Sequence, residues 1–372
     1  MEYAELILVV QNGSTIRARR QDGAEVSGEF VLDDLHRSMI EIFDDWLNTG
    51  KIARRRELEV LGSLLYTALF NDRIEIFFKQ SLGEARKARQ RLRVQLSFEG
   101  KAADLANLPW EYLYSPDTET YAGFFLATDV ALVLSHYMPL EMARQALAPA
   151  ESPLHILIIV SKPQDLNPVL SDLVIEAIQS LSEKFPIKVD ILITPTVEKL
   201  LGTLEGTEPH VVHFIGHGRF DKVQGKGQIA LLDGKGENAL WIRDREFAEF
   251  FVQKSAIPRL VFLHLCEGGA IDFTANFAGL APQLIRAGTQ AVVAMKYPIT
   301  NRAAIIFSRA FYRELAKGEP VDNAVQIGRW QITVNDPLAY DSPVFGVPVL
   351  YMRSRDGIIQ PPTLKQEEVS SD

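Results

Sequence analysis

From residue 154 onward, short apolar runs alternate with longer amphipathic stretches, and this alternation constrains the fold more than any other feature of the chain. The runs fall at about 154–160, 187–194, 209–215, 259–265, 290–295 and 347–351. Helical patterns near 167–184, 195–204, 245–252, 274–287, 301–317 and 319–334 lie around them. A run that is apolar throughout suits a strand covered on both faces, and strands alternating with helices imply parallel pairing. The expected fold is α/β, a mostly parallel six-stranded sheet with helices on both faces. The last run, from Pro343 to Tyr351, reads as an edge strand. An insertion at 222–243 reads as a hairpin around Asp233-Gly-Lys-Gly236.

The first 150 residues form a smaller α/β part. Turns at Asn12-Gly13 and Asp22-Gly23 predict hairpins. One helical face carries Leu32, Leu35, Met39, Ile40, Phe43 and Leu47 and stops at Gly50; a second carries Leu58, Leu61, Leu64, Leu65 and Leu69. Arg86, Lys87, Arg89, Arg91 and Arg93 read as a charged helix face leading into a strand at 92–98. No aromatic residue is interleaved there, so base stacking is unsupported. A proline-bearing segment at 139–153 connects this part to the second, giving units at 1–150 and 151–355, with a polar tail at 356–372 expected to be disordered.

Charge and length narrow the function class. Lys+Arg 39 against Asp+Glu 48 gives a net charge of −9, which argues against direct nucleic-acid binding. No apolar run reaches the roughly 18 residues of a membrane span. The acidic start, Met1-Glu-Tyr-Ala-Glu5, has no basic leader, and the single cysteine cannot form an internal disulfide. The expected setting is a reducing cytoplasm, away from membranes.

That single cysteine stands where chemistry collects. Cys266 ends the apolar run Leu260-Val-Phe-Leu-His-Leu265 and is followed by Glu267-Gly268-Gly269. The carboxyl ends of parallel strands are where open α/β sheets bind and react. About 50 residues upstream, His210-Val-Val-His213-Phe-Ile-Gly-His217-Gly218 is another apolar run, ending in a histidine between glycines. A thiol becomes a strong nucleophile when an imidazole takes its proton. The acyl-transfer intermediate then needs N–H donors at its oxyanion, and the backbone N–H groups of Gly218 and Cys266 are the candidates. His210 and His213 lie within the run and read as structural. A buried inert thiol is the competing reading of Cys266. A metal centre built from His210, His213, His217, His264 and Cys266 is another, although no Cys-x-x-Cys or His-Glu-x-x-His spacing occurs. Asp272 stands where a cysteine phosphatase would carry arginine, and no phosphate-binding P-loop is present.

These motifs resemble the CHAT family, caspase-like cysteine peptidases of the wider group that includes caspases, separase and gingipains. The resemblance covers about residues 90–352. It rests on Leu108-Pro-Trp-Glu-Tyr-Leu-Tyr114, His213-Phe-Ile-Gly-His-Gly218, Leu263-His-Leu-Cys-Glu-Gly-Gly269, Gly279-Leu-Ala-Pro-Gln-Leu-Ile-Arg-Ala-Gly288 and Pro348-Val-Leu-Tyr351. It implies a caspase-like fold whose 1–150 part is a degenerate half bracing the catalytic half. It implies endopeptidase chemistry on protein substrates, with His217 as base and Cys266 as nucleophile, and no cofactor or metal. Members often await a trigger, and many act in bacterial defence or programmed cell death. The helical repeats that often precede the domain are not seen, so a separate sensor or activator protein is expected. Self-cleavage, if it occurs, is expected at 222–228 or 139–152. One departure is Lys296-Tyr-Pro-Ile-Thr-Asn301 where members commonly carry Trp-Pro followed shortly by Asp. For the pocket holding the residue before the cut bond, Asp165 would favour a basic residue, whereas Lys162 or Lys296 would favour an acidic one. Asp165 also reads as the N-cap of a helix beginning at Leu166. The alternative to an enzyme is a non-catalytic interaction module with a relict dyad.

Overall fold

The computed structural model describes residues 2–52, 54–118, 122–138, 150, 152–221, 226–266, 273–335, 342–354 and 356–359. The two predicted turns fold the first strands, β1 (Tyr3–Gln11), β2 (Thr15–Arg20) and β3 (Glu25–Glu29), into an antiparallel meander. Asn12 and Gly13 adopt φ of 54° and 75°, the left-handed backbone such a tight turn requires. Three helices follow, α1 (Asp34–Asn48), α2 (Arg55–Leu69) and α3 (Asp72–Lys87). The chain then returns as β4 (Arg91–Glu99), parallel to β1. The aromatic motif forms a 3-10 turn at Trp110–Tyr112 and leads into the short ribbon β5 (Tyr114–Ser115) and β6 (Phe124–Phe125). β7 (Leu132–Tyr137) lies parallel to β4.

The second part follows the predicted alternation closely. It runs β8 (Leu154–Val160), α4 (Asp172–Gln179), β9 (Ile187–Ile193), α5 (Val197–Gly206), β10 (Val211–Asp221), β11 (Lys226–Leu232), β12 (Ala239–Arg243), α6 (Asp244–Gln253) and β13 (Leu260–Cys266). It continues through α7 (Phe273–Ala287), β14 (Ala291–Met295), α8 (Asn301–Ala316), α9 (Val321–Asn335) and β15 (Pro348–Met352). Alternation along the strands sorts their side chains. Val211, Ile215, Leu260, Phe262 and Val293 share one core layer with residues of α4, α8 and α9. Val212, Phe214, Val261, Leu263 and Val292 share the other with residues of α5, α6 and α7. Each side chain of this size that is fully buried contributes about 1.5–3 kcal/mol, which explains why both faces are apolar.

The sheet is mostly parallel, but longer than the six strands expected. The 13-stranded sheet carries β9, β8, β10, β13, β14 and β15 in spatial order and then continues through β7, β4, β1, β2 and β3, while β11 and β12 extend from β10. β15 is therefore not an edge strand. Tyr351 and Met352 pair with His136 and Tyr137 of β7, and every residue of β15 is buried. The edge reading followed its place near the end of the chain, whereas its unbroken apolarity reflects neighbours on both sides. Buried charges brace the same junction: Arg93 of β4 is paired with Asp322 at the start of α9. The polar tail also begins later than expected. Ile359 is buried and its carbonyl accepts from Ala150 N–H, so residues 356–359 pack on the fold. Most of the proposed connector and self-cleavage segments, at 139–149 and 222–225, and the remainder of the tail, 360–372, lie outside the described residues.

Candidate active site

β8, β10 and β13 lie side by side in parallel, so their carboxyl ends open on one side of the sheet. β10 is paired with β8 only through Ile215, where Ser161 N–H donates to Ile215 O at 2.9 Å and the first chain turns away. β10 runs on to Asp221 and pairs antiparallel with β11 from Gly218. His217 sits where β10 leaves the sheet, and its register partner across the ladder is Cys266, the last residue of β13. Neighbouring strands are about 4.8 Å apart, so the two positions are immediate neighbours. Gly216 is required by the same crowding. A Cβ there would lie 2.8 Å from the Phe214 ring and 3.2 Å from Ser161 Cβ.

His217 is buried, and its Nε2 lies 2.9 Å from the backbone oxygen of Asn167. A carbonyl oxygen can only accept, so Nε2 carries a hydrogen, and in the neutral form of the ring the lone pair is then on Nδ1. The loop that supplies Asn167, 161–171, is itself clasped by the hairpin between β11 and β12. Gln164 N–H donates to Glu237 O at 2.9 Å, and Ala239 N–H donates to Asp165 Oδ1 at 2.8 Å. Asn167 was not legible in the sequence, because a backbone carbonyl acting on a distant side chain leaves no residue signature.

The three pocket candidates are each engaged by the protein itself. Asp165 anchors the start of β12, and α4 begins at Asp172 with Ser171 at its cap position, so Asp165 does not cap that helix. Lys162 pairs with Asp172 at 3.3 Å. Lys296 is buried, and its ammonium donates to Asn107 O and Leu108 O at 2.5 and 3.0 Å. Burial lowers its pKa, against the pull of Asp44 and Glu111. The structure thus brings together His217, Gly218 and Cys266, and turns Lys296 toward the first part of the chain.

The remaining histidines fill structural positions. His213 stacks on Phe262 at 4.2 Å, and its Nδ1 shares a hydrogen bond with Tyr312 OH at 3.1 Å. Burial holds His264 neutral, with its pKa pushed down to about 4. His210 lies just before β10, at the far end from His217, where His155 N–H donates to its Nδ1. His210 thus lies apart from His217, and no cluster of three or more His, Cys, Asp or Glu able to hold a metal exists among the described residues. No helix among them is long and apolar enough to cross a membrane. The residues after the cysteine, 267–272, lie outside the described residues.

The chain is similar to several solved structures. A chain of the Saccharomyces cerevisiae separase–securin complex is similar with a TM-score of 0.52 and 12% identity, over 95% of this chain and 30% of that one. A second structure of the same complex matches with a TM-score of 0.37 and 14% identity, over 88% of this chain and 20% of that one. The Drosophila initiator caspase Dronc matches with a TM-score of 0.33 and 11% identity, over 57% of this chain and 97% of the caspase. This chain thus spans under a third of the separase-complex chain with the higher score. No curated protein matches. The family model for the CHAT domain matches residues 59–346, and the chain therefore belongs to the CHAT-domain family, with a caspase-like α/β fold.

Proposed function

We propose that the protein is a cysteine endopeptidase acting through His217 and Cys266. The observation that carries the reading is their register pairing at adjoining strand ends, with Nε2–H of His217 committed to Asn167 O. That bond fixes the tautomer in which Nδ1 can take a proton. In the reaction, the Cys266 thiol proton passes to Nδ1 and the thiolate attacks the substrate carbonyl carbon. The resulting oxyanion accepts from the N–H groups of Gly218 and Cys266. His217 then returns its proton to the departing amine as the C–N bond breaks, leaving a thioester. Water, deprotonated by the same imidazole, hydrolyses the thioester and restores the thiol.

The same reading has a regulated form, in which a separate partner or signal releases the activity, in defence or programmed death. Membership of a family whose members often await a trigger supports this. So does the securin-bound state of the similar separase. Mapping new protein N-termini in a lysate of the cells that make the protein tests the proposal. Termini that appear with wild type and are absent with Cys266→Ala and His217→Ala are expected. Identical termini with all three would contradict a constitutively active peptidase and leave a latent enzyme lacking its trigger or an interaction module with a relict dyad.

A further inference from the structure

A hollow of about 180 Å³ lies between the start of α4 and the start of α8, lined by Leu170, Asp172, Leu173, Val174, Asn301 and Ile305. Its two leucines are anomalous. Leu170 is 63% exposed and Leu173 60% exposed, although both sit beside the loop that holds His217. Large apolar side chains left open together mark binding surfaces more often than single exposed ones do. The hollow is too small for a whole small-molecule ligand, whose sites run about 300–1,000 Å³. It is the size for one side chain.

Its place in the fold says which molecule would supply that side chain. Leu170 follows Asn167, whose carbonyl binds His217, by three positions, a span of at most about 10 Å. Asn301 opens α8 directly after the segment that leaves the carboxyl end of β14. Both walls therefore descend from strand ends on the dyad's side of the sheet. An extended peptide advances about 3.3 Å per residue, so a substrate at the dyad reaches the hollow within about four positions of the cut bond. We infer that this hollow is a specificity subsite that takes an apolar side chain of the polypeptide substrate, rests on the peptidase reading above, and replaces the charged pocket expected from Asp165, Lys162 or Lys296. Those three charges are already engaged within the protein.

The test compares wild type, Cys266→Ala and the double variant Leu170→Ser/Leu173→Ser on a peptide pool varied at each position around the cut. Both leucines are exposed, so their replacement spares the core. Wild type should favour leucine or phenylalanine over serine at one position by about ten- to a hundredfold in kcat/KM. The double variant should lose that ratio. An unchanged ratio overturns the subsite and leaves the peptidase standing. Where nothing is cut beyond Cys266→Ala, as for an enzyme awaiting its trigger, the binding measurement below decides the hollow. A measurement independent of activity follows the methyl resonances of Leu170, Leu173 and Ile305. They should shift on titration with N-acetyl-leucinamide and not with N-acetyl-aspartamide; no shift with either would overturn the hollow as an apolar side-chain site.

Discussion

Replacing Glu111 by glutamine should destabilise the protein severely. Glu111 lies in the 3-10 turn of the Pro-Trp-Glu motif and is 1% exposed. Its Oε1 is 2.9 Å from His136 Nε2 on β7 and 3.7 Å from Arg329 Nη2 on α9. Burial pushes the carboxyl pKa up, but His136, Arg329 and Lys296 together hold it below the usual carboxylate range. Arg329 is wholly buried and donates to Pro348 O at 3.0 and 2.7 Å and to Leu134 O at 3.1 Å. Burial lowers its pKa to about 10, against the pull of Glu111, so it remains charged at neutral pH. Glu111→Gln keeps the shape and strands that charge without a counter-ion. Breaking a buried pair in this way costs about 3–5 kcal/mol, a large share of the roughly 5–15 kcal/mol that a folded protein has. The midpoint of thermal unfolding at pH 7 should fall by on the order of 10 °C. Urea unfolding gives the free energy directly. A companion Glu111→Leu/Arg329→Met, which removes both charges, should cost less than Glu111→Gln alone. The reasoning fails if Glu111→Gln costs under about 1 kcal/mol, or if the double variant is no more stable than the single one. The pH dependence has a fixed sign. A depressed folded pKa means the stabilisation is present above the free carboxyl's value of about 4.3 and is lost as pH falls through the folded pKa.

Other substitutions separate positioning from packing. Gly62→Ala should prevent tight docking of α2 on the aromatic motif, since the new Cβ would lie 2.2 Å from Tyr112 O; a large loss of stability in urea is expected, and wild-type stability would refute it. His264, with its pKa held near 4, should not titrate between pH 8 and 5 in ring NMR spectra. Because its folded pKa lies below the free value of about 6.5, it should cost up to about 1.4 kcal/mol per unit as pH falls from there toward the folded value. Asp165→Ala frees the clasp on the loop bearing Asn167, so kcat should fall while the preferred substrate residue stays unchanged. Lys296→Met leaves two buried carbonyls without their donor and should cost roughly 1–3 kcal/mol without altering any preference between acidic and basic residues.

The second part of the fold was legible because β8, β10, β13, β14 and β15 are apolar runs buried on both faces, with helical stretches around them. Periodicity placed those strands within about two residues, apart from the longer run of β10. The hairpins at Asn12-Gly13 and Asp233–Gly236 were equally readable, since their turns demand particular residues. The continuity of the sheet was not. It depends on β15 meeting β7, a pairing between segments far apart in sequence. α3 was recognised only in its charged last turn, because its buried face is spread over Ile74, Phe77, Phe78, Ser81, Leu82 and Ala85. At the candidate site, residue types singled out His217 and Cys266, and the strand pairing sets them opposite one another. The partners of the pocket candidates were not legible. Charge is conspicuous in a sequence, yet Asp165, Lys162 and Lys296 each found a partner in the fold, while the exposed Leu170 and Leu173 resembled ordinary helix-start residues.

Cys266 is the only cysteine in the chain, so its reactivity can be read without interference. The rate of its alkylation by iodoacetamide, followed by mass spectrometry from pH 5 to 10 in wild type and in His217→Ala, tests the dyad whether or not a trigger is needed. A dyad predicts rapid alkylation well below the ordinary thiol pKa of about 8.5 in wild type, moving back to that value in His217→Ala. The same pH profile in both proteins would contradict the pairing of His217 with Cys266 as base and nucleophile.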